Sequence, residues 1–412
     1  MKVFSNLPRA LVCCLVTALA VLGAVRLDFR QPFIGYGLGG AFLLFLAARQ
    51  GRVRTAIVSG LGVAFAFAIV WRRFEDLPAL LVQIMGALGL SSLLVLGCLV
   101  AWRGRAREAG AYRAMLPAAA LTFMILAAMY SLNMASLLRA TTLDVYTYGF
   151  DGCLGFQPSF ELGRITYGHP WVFLVVKMSY EAIVIAMAAI YAGYMRRRET
   201  PIWELIEMLF APAIVGYLFF SVFPVCGPRY VFASFPNAYL PHSVMPRLIL
   251  HRVPVPGMFP RNGVPSLHMT WALLIWLNTR GLPRWARTAA LVLVLATAFD
   301  TLGTGEHYLF DLIAALPFTL CMQACLVRTV RFGQRERWLP ALVGALLFLT
   351  WLAIGRYGFS WMVTSRLLTW SLVAASSFAS VFWATRLPAL IPEMEDHRES
   401  SELHTLAAAA AR

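Results

Sequence analysis

Residues 265–311 read PSLHMTWALLIWLNTRGLPRWARTAALVLVLATAFDTLGTGEHYLFD. Two apolar runs, at about 265–279 and 285–301, flank a short turn carrying Arg280, Arg284 and Arg287. Such runs are expected to be long enough for a helix to cross a bilayer, and two crossings return the chain to the face it left. The pattern predicts a helical hairpin that sets Pro265-Ser266-Leu267-His268 beside Gly305-Glu306-His307-Tyr308-Leu309-Phe310-Asp311 at one membrane surface.

The rest of the chain repeats this pattern. Of its 412 residues, 60% are apolar and 13% charged, the composition of a polytopic membrane protein. Twelve spans are expected, at about 8–25, 33–48, 55–71, 79–101, 115–138, 171–193, 201–223, 265–279, 285–301, 307–327, 339–355 and 367–385. The fold class is all-α, with about 12 transmembrane helices. The net charge is +15, yet the arginines fall in short clusters between apolar runs rather than on one basic face. Membrane orientation explains them, and no nucleic-acid partner is expected.

Arg49/Arg52/Arg54, Arg103/Arg105/Arg107/Arg113, Arg196/Arg197/Arg198, the 280–287 turn and Arg328/Arg331/Arg335/Arg337 alternate with longer, arginine-poorer loops. By the positive-inside rule the dense set is cytoplasmic. Loops 139–170 and 224–264, and the turn before His307, then face the other side. Two readings of 139–170 stand together: a functional loop, or an amphipathic stretch with Phe150, Leu154, Phe156 and Phe160 on the bilayer surface. Of the seven cysteines, Cys153 and Cys226 share the outer loops, where a disulfide is one option. Cys13, Cys14, Cys98, Cys321 and Cys325 lie in or at the ends of apolar runs, and no zinc-binding spacing occurs. The N-terminus is read as a retained first helix rather than a cleaved signal.

Phosphoryl transfer without a metal needs a nucleophile, an orienting carboxylate, a proton donor and donors for the phosphate oxygens. His307 and Asp311, four residues apart, would share a helix face, so that Asp311 fixes the proton on one ring nitrogen and frees the other to attack phosphorus. Pro265 suits the first turn of a helix, which aims Ser266 and the following amides at an anion. His268 is placed to protonate a leaving alkoxide. Arg229, in Gly227-Pro228-Arg229-Tyr230, and Arg261 are the nearest outer-face cations, and Tyr230 joins them as a phosphate contact. Arg247 and Arg252 are read as headgroup contacts, and His169, His242 and His251 as packing or interfacial groups. Asp144 and Asp151 either orient an acceptor hydroxyl or serve turns. Lys177 either pairs with Glu181 within a span or reaches up to the site.

Taken together, Arg229, Pro265-Ser266-Leu267-His268 and Thr304-Gly305-Glu306-His307-Tyr308 with Asp311 resemble the type-2 phosphatidic acid phosphatase superfamily. The Gly-Pro-Arg-Tyr, Pro-Ser-Leu-His and Thr-Gly-Glu-His-Tyr forms most resemble its inositol phosphorylceramide synthase branch. The resemblance covers about residues 115–328, and implies a six-helix catalytic core there. It leaves 1–114 as accessory N-terminal helices, 329–392 as two C-terminal helices and 393–412 as a mobile cytoplasmic tail. It further implies that His307 forms a phosphohistidine, with Asp311 as its partner, His268 as general acid and Arg229 as phosphate ligand, and that no metal or cofactor is needed. The phosphatases usually carry a lysine where this chain has Val222, and Ser-Arg where it has Asp300-Thr301. Two cationic ligands are therefore missing, which favours the synthase branch and leaves Arg261 or Lys177 as replacements.

The expected protein is a membrane-lipid phosphotransferase. It would move a phosphoryl or phospho-head group from a lipid donor to a lipid or sugar hydroxyl, with hydrolysis of lipid phosphates or polyisoprenyl (pyro)phosphates as the alternative. The expected location is a bacterial inner (plasma) membrane, with the site on the periplasmic or extracellular face. A transporter or flippase would show two related halves and broken helices near the midplane; the sequence shows no such repeat.

Overall fold

The computed structural model describes residues 32–73, 77–104, 106–195, 202–327, 330–331 and 333–388. The expected span at 8–25, Cys13, Cys14, Arg196/Arg197/Arg198 and the tail 393–412 lie outside the described residues. Four helices come first: α1 (Pro32–Ala47), α2 (Arg52–Arg73), α3 (Leu77–Arg103) and α4 (Ala109–Leu138). Strand β1 (Thr141–Thr142), α5 (Asp144–Cys153) and α6 (Pro158–Gly168) follow, then α7 (Pro170–Glu181), α8 (Ile183–Met195) and α9 (Ile202–Val222). The next segment holds the one-turn α10 (Pro228–Val231), a 3-10 turn at His242–Arg247 and β2 (Val253–Pro254). The chain then runs through α11 (Leu267–Leu277), α12 (Arg284–Gly303), α13 (Leu309–Leu326), α14 (Arg335–Tyr357), α15 (Phe359–Met362) and α16 (Arg366–Arg386).

The architecture is all-α apart from the β1–β2 ribbon, which pairs Thr141 with Pro254 and Thr142 with Val253. Helices stand at each expected span other than the first. Among the described residues, five are long and apolar enough for a full crossing, or six if α7 and α8 form one span bent by 51°. The expected count of twelve crossings is not shown: among the described residues the apolar stretches of α1, α9 and α11 are shorter than a full crossing. The predicted hairpin is α11 and α12 packed against each other. Helix α11 also contacts α8, α9 and α13, and α13 in turn is flanked by α14 and α16. Helix α1 lies on α8 and α4 on α9, so one buried apolar cluster continues from Ile34 to Met362.

The reading of 139–170 as an interfacial stretch is corrected. Phe150, Leu154 and Phe160 are buried, and only Phe156 is exposed. Phe150 packs edge-on against Phe310 and Trp351, and Phe160 against Tyr148 and Phe235. These aromatics join α5 and α6 to the core because aromatic burial outweighs contact with a lipid headgroup layer. Cys153 and Cys226 are free, buried thiols, not a disulfide. Burial pushes Cys153 up to about 12 and raises Cys226 as well, which keeps both protonated.

At the opposite end, part of the arginine density has a structural use. Arg337 donates to the carbonyls of Ala324, Cys325 and Val330, and Arg280 to those of Ala384 and Leu387. Apart from that of Val330, these are carbonyls at helix ends, where intrahelical partners run out. Arg54 and Arg103 both pair with Glu108.

Two buried aspartates on α5 fix the end that carries the histidines. Asp151 accepts hydrogen bonds from the Leu309 and Phe310 amides, at 2.9 and 3.1 Å, and so caps α13 from outside. Asp144 accepts from the Cys226 and Gly227 amides and from the Tyr308 hydroxyl. Burial pushes the Asp144 carboxyl up to about 6, against the pull of these donors. Asp151→Ala leaves two buried amides unsatisfied and should cost about 2–6 kcal/mol, read as a lower thermal midpoint in detergent. Because the folded-state pKa of Asp144 lies above the unfolded value of about 3.9, its contribution is intact below about pH 4. It is lost as pH rises through about 6, by about 3 kcal/mol. Thermal unfolding across this range should show a shallower loss of stability with rising pH in Asp144→Asn than in wild type.

Candidate active site

His307 does not lie on a helix. A tight turn at Thr304-Gly305 ends α12, the His307 amide bonds to the Thr301 carbonyl, and α13 begins only at Leu309 with Tyr308 as its cap. Asp311 reaches back over this turn. One of its oxygens accepts from the Tyr308 amide and from His307 Nδ1, both at 3.0 Å. The four-residue spacing therefore works through an N-terminal cap rather than through one helix face. His307 and Asp311 are buried, and Ser159 donates to the His307 carbonyl at 2.8 Å. An imidazole held at Nδ1 and at its own backbone has one ring nitrogen left for chemistry.

That nitrogen, Nε2, stands 3.3 Å from Ser266 Oγ. Ser266 is the cap of α11, where its Oγ also accepts from the Met269 amide, with Pro265 just before the helix. The hairpin thus brings Ser266, His307 and Asp311 into one line. His268 follows two residues after Ser266, half-buried, with its ring stacked on Tyr180 at 3.7 Å and Trp271 at its edge.

The Gly227-Pro228-Arg229-Tyr230 turn sits directly on the Gly305-Glu306 backbone. Gly227 (φ 108°) and Gly305 (φ 75°) both adopt conformations that favour glycine. A Cβ at Gly227 would strike the Glu306 carbonyl, and one at Gly305 would lie 2.6 Å from the Phe235 ring. The Arg229 amide bonds to the Gly305 carbonyl at 3.1 Å. Its guanidinium pairs with Glu306 at 2.7 Å and lies over the Tyr230 ring, while the Tyr230 hydroxyl donates to both Glu306 oxygens. Arg229 and Tyr230 stand beside His307, but they hold the glutamate next to it.

Arg261 does not join the site. Its guanidinium is fully buried and donates to the carbonyls of Arg139, Val255, Pro256 and Phe259. With four of its five N–H groups donated to backbone carbonyls and the side chain fully buried, this arginine folds the loop before α11. Asp144 and Asp151 are likewise braces, with their oxygens engaged by amides and by Tyr308, rather than acceptor contacts. Lys177 is exposed on α7, within electrostatic range of buried Glu181 and of Asp300.

Asp300 is the surprise of this region. It is 1% exposed and neither carboxylate oxygen has a hydrogen-bond partner among the described residues. It lies within electrostatic range of Glu306, Glu181 and Lys177. Sequence reading noted it only as a departure from Ser-Arg. Glu306, Ser159 and Tyr180 were also missed as site groups; Glu306 occupied the variable position of a motif, and nothing local distinguished Ser159 or Tyr180.

Residues 147–325 match the family model of the PAP2 superfamily, which supports the superfamily resemblance but not the inositol phosphorylceramide synthase branch. No curated protein and no solved structure matches the chain. The match, with the apolar helices, supports an integral membrane protein of the lipid phosphatase or phosphotransferase class.

Two substitutions separate the roles of the arginines. Arg261→Met should lower stability by about 2–5 kcal/mol, with activity per folded molecule retained. Arg229→Met should leave the melting temperature within a few degrees of wild type and remove at least about 10²-fold of turnover. Equal effects in both assays would contradict this division.

Proposed function

We propose that the protein is a membrane-lipid phosphotransferase acting through a phosphohistidine at His307. The carrying observation is the line Asp311–His307–Ser266, with Nδ1 held at 3.0 Å and Nε2 directed at Ser266 Oγ at 3.3 Å. In the first half-reaction Nε2 attacks phosphorus: a P–N bond forms as the donor P–O bond breaks. His268, protonated once the phosphate's negative charge lies beside it, delivers that proton to the departing oxygen. In the second, an acceptor hydroxyl returns a proton to His268 as its oxygen attacks phosphorus and the P–N bond breaks. Ser266 Oγ lies where the phosphoryl oxygens arrive and donates to one of them. Arg229 meets the phosphate by sharing or exchanging its contact with Glu306.

Asp300 and Glu181 add buried carboxyl oxygens that can accept hydrogen bonds from the hydroxyls of an acceptor. The inositol phosphorylceramide synthase-like motifs make a phospho-head group and a lipid or sugar hydroxyl the preferred pair, with water as the competing acceptor. The positive-inside pattern supports action at the non-cytoplasmic face of a plasma membrane.

A second reading follows from the same line of atoms, since a serine beside a histidine and an aspartate also suits a Ser266 nucleophile with His307 as its base. Brief reaction with 32P-labelled phospholipid and quenching distinguishes them. A phosphohistidine label should be acid-labile, base-stable and absent in His307→Ala, whose turnover should fall by at least about 10⁴-fold. His268→Ala should lose about 10²–10⁴-fold. A base-labile label that vanishes in Ser266→Ala, or unimpaired turnover by His307→Ala, would overturn the proposal. With a polyol or lipid hydroxyl present, label should move to that acceptor rather than to inorganic phosphate.

A further inference from the structure

Away from His307, three arginines from separate segments converge on a cavity of about 550 Å³. Arg139 follows α4, Arg252 precedes β2 and Arg356 lies in the last turn of α14. The β1–β2 ribbon brings the first two together, since Thr141 pairs with Pro254. Arg139 and Arg252 are exposed, and none of the three has a carboxylate partner among the described residues. Arg356 lies over the Tyr146 ring at 4.8 Å, and its Nη1 is buried with no hydrogen-bond partner. A buried guanidinium N–H without an acceptor is costly unless a ligand supplies one.

The cavity's other walls are mainly apolar, with the hydroxyls of Thr141, Ser221 and Tyr357 among them. Phe219 and Val222 of α9, with Phe223 just after it, face Leu349 and Leu352 of α14, and Val222 and Leu349 are exposed at 65% and 51%. The lining contains no histidine, aspartate or glutamate. An arginine cluster opening onto an exposed apolar flank matches one amphiphile: a phosphate group with acyl chains. We infer that this groove binds an anionic phospholipid, with its phosphate among Arg139, Arg252 and Arg356 and its chains along α9 and α14. With no histidine or carboxylate in the lining to activate the Thr141, Ser221 or Tyr357 hydroxyl, the lipid held there is resident rather than reacting.

Occupancy would brace the catalytic end. Phe223 stacks on Phe310, whose amide Asp151 holds, and the Pro224 carbonyl accepts from the Leu143 amide at 2.7 Å. Tyr146 shares α5 with Asp144 and Asp151.

Native mass spectrometry of the full-length protein released from detergent tests this, with dioleoyl phosphatidylglycerol and dioleoyl phosphatidylcholine as probes. Wild type and His307→Ala should each retain one phosphatidylglycerol in preference to phosphatidylcholine. Arg139→Gln/Arg252→Gln should bind it at least about tenfold more weakly, the loss of one charge-assisted contact. Adding Arg356→Gln should abolish the preference. Both arginines of the double variant are exposed, so it decides the matter if the triple variant misfolds. Unchanged affinity in the double variant, equal retention of both lipids, or displacement by millimolar inorganic phosphate would overturn the inference. So would loss of the bound lipid in His307→Ala alone, which would make the groove part of the reacting site.

Discussion

The first turn of α13 is the constraint on which the catalytic end rests. A helix begins with amides that have no partner inside it, and in an apolar core each must be satisfied or it costs stability. Here the Tyr308 amide is taken by Asp311, and the Leu309 and Phe310 amides by Asp151. The carboxylates also lie at the positive end of the helix dipole, which eases their burial. Because the same Asp311 oxygen holds His307 Nδ1, the solution to a folding problem also orients the proposed nucleophile. Asp144 extends the brace sideways by tying Tyr308 to the Cys226-Gly227 backbone.

The charge pattern is unusual for a phosphate site. Arg229 is already engaged by Glu306, Arg261 by four carbonyls, and Asp300 and Glu181 bring buried carboxylates close by. Little free cationic charge surrounds His307. In the proposed reaction an incoming phosphate would compete with Glu306 for Arg229.

The hairpin and its two histidine motifs were legible in the sequence because hydropathy fixes where helices run and a short turn fixes their direction. The pairing of His307 with Asp311 was legible for the wrong geometric reason, since spacing by four does not distinguish a helix face from a capping turn. Arg261 misled because an arginine near a motif looks alike whether its guanidinium faces a ligand or backbone carbonyls; only the fold of 252–261 shows which. Asp144 and Asp151 were hidden for a related reason, as their amide partners at 226–227 and 309–310 are distant in sequence. Phe150, Leu154 and Phe160 have the spacing of a surface stretch, but burial against α13 and the 232–239 loop overrides that local pattern. The length of α11 was overestimated by two residues at each end because Ser266 caps it at its start and Asn278 at its end.

The contact between the Gly227 turn and the Glu306 carbonyl has a bearing on how this enzyme class diversifies. Two loops that touch backbone to backbone, with no side chain between them, cannot be exchanged singly. A donor loop bearing alanine at 227 would force its Cβ into the opposite chain and push His307 off its axis. Recombination between distant relatives should therefore inherit the two segments as a matched pair, while the surrounding helices remain free to drift.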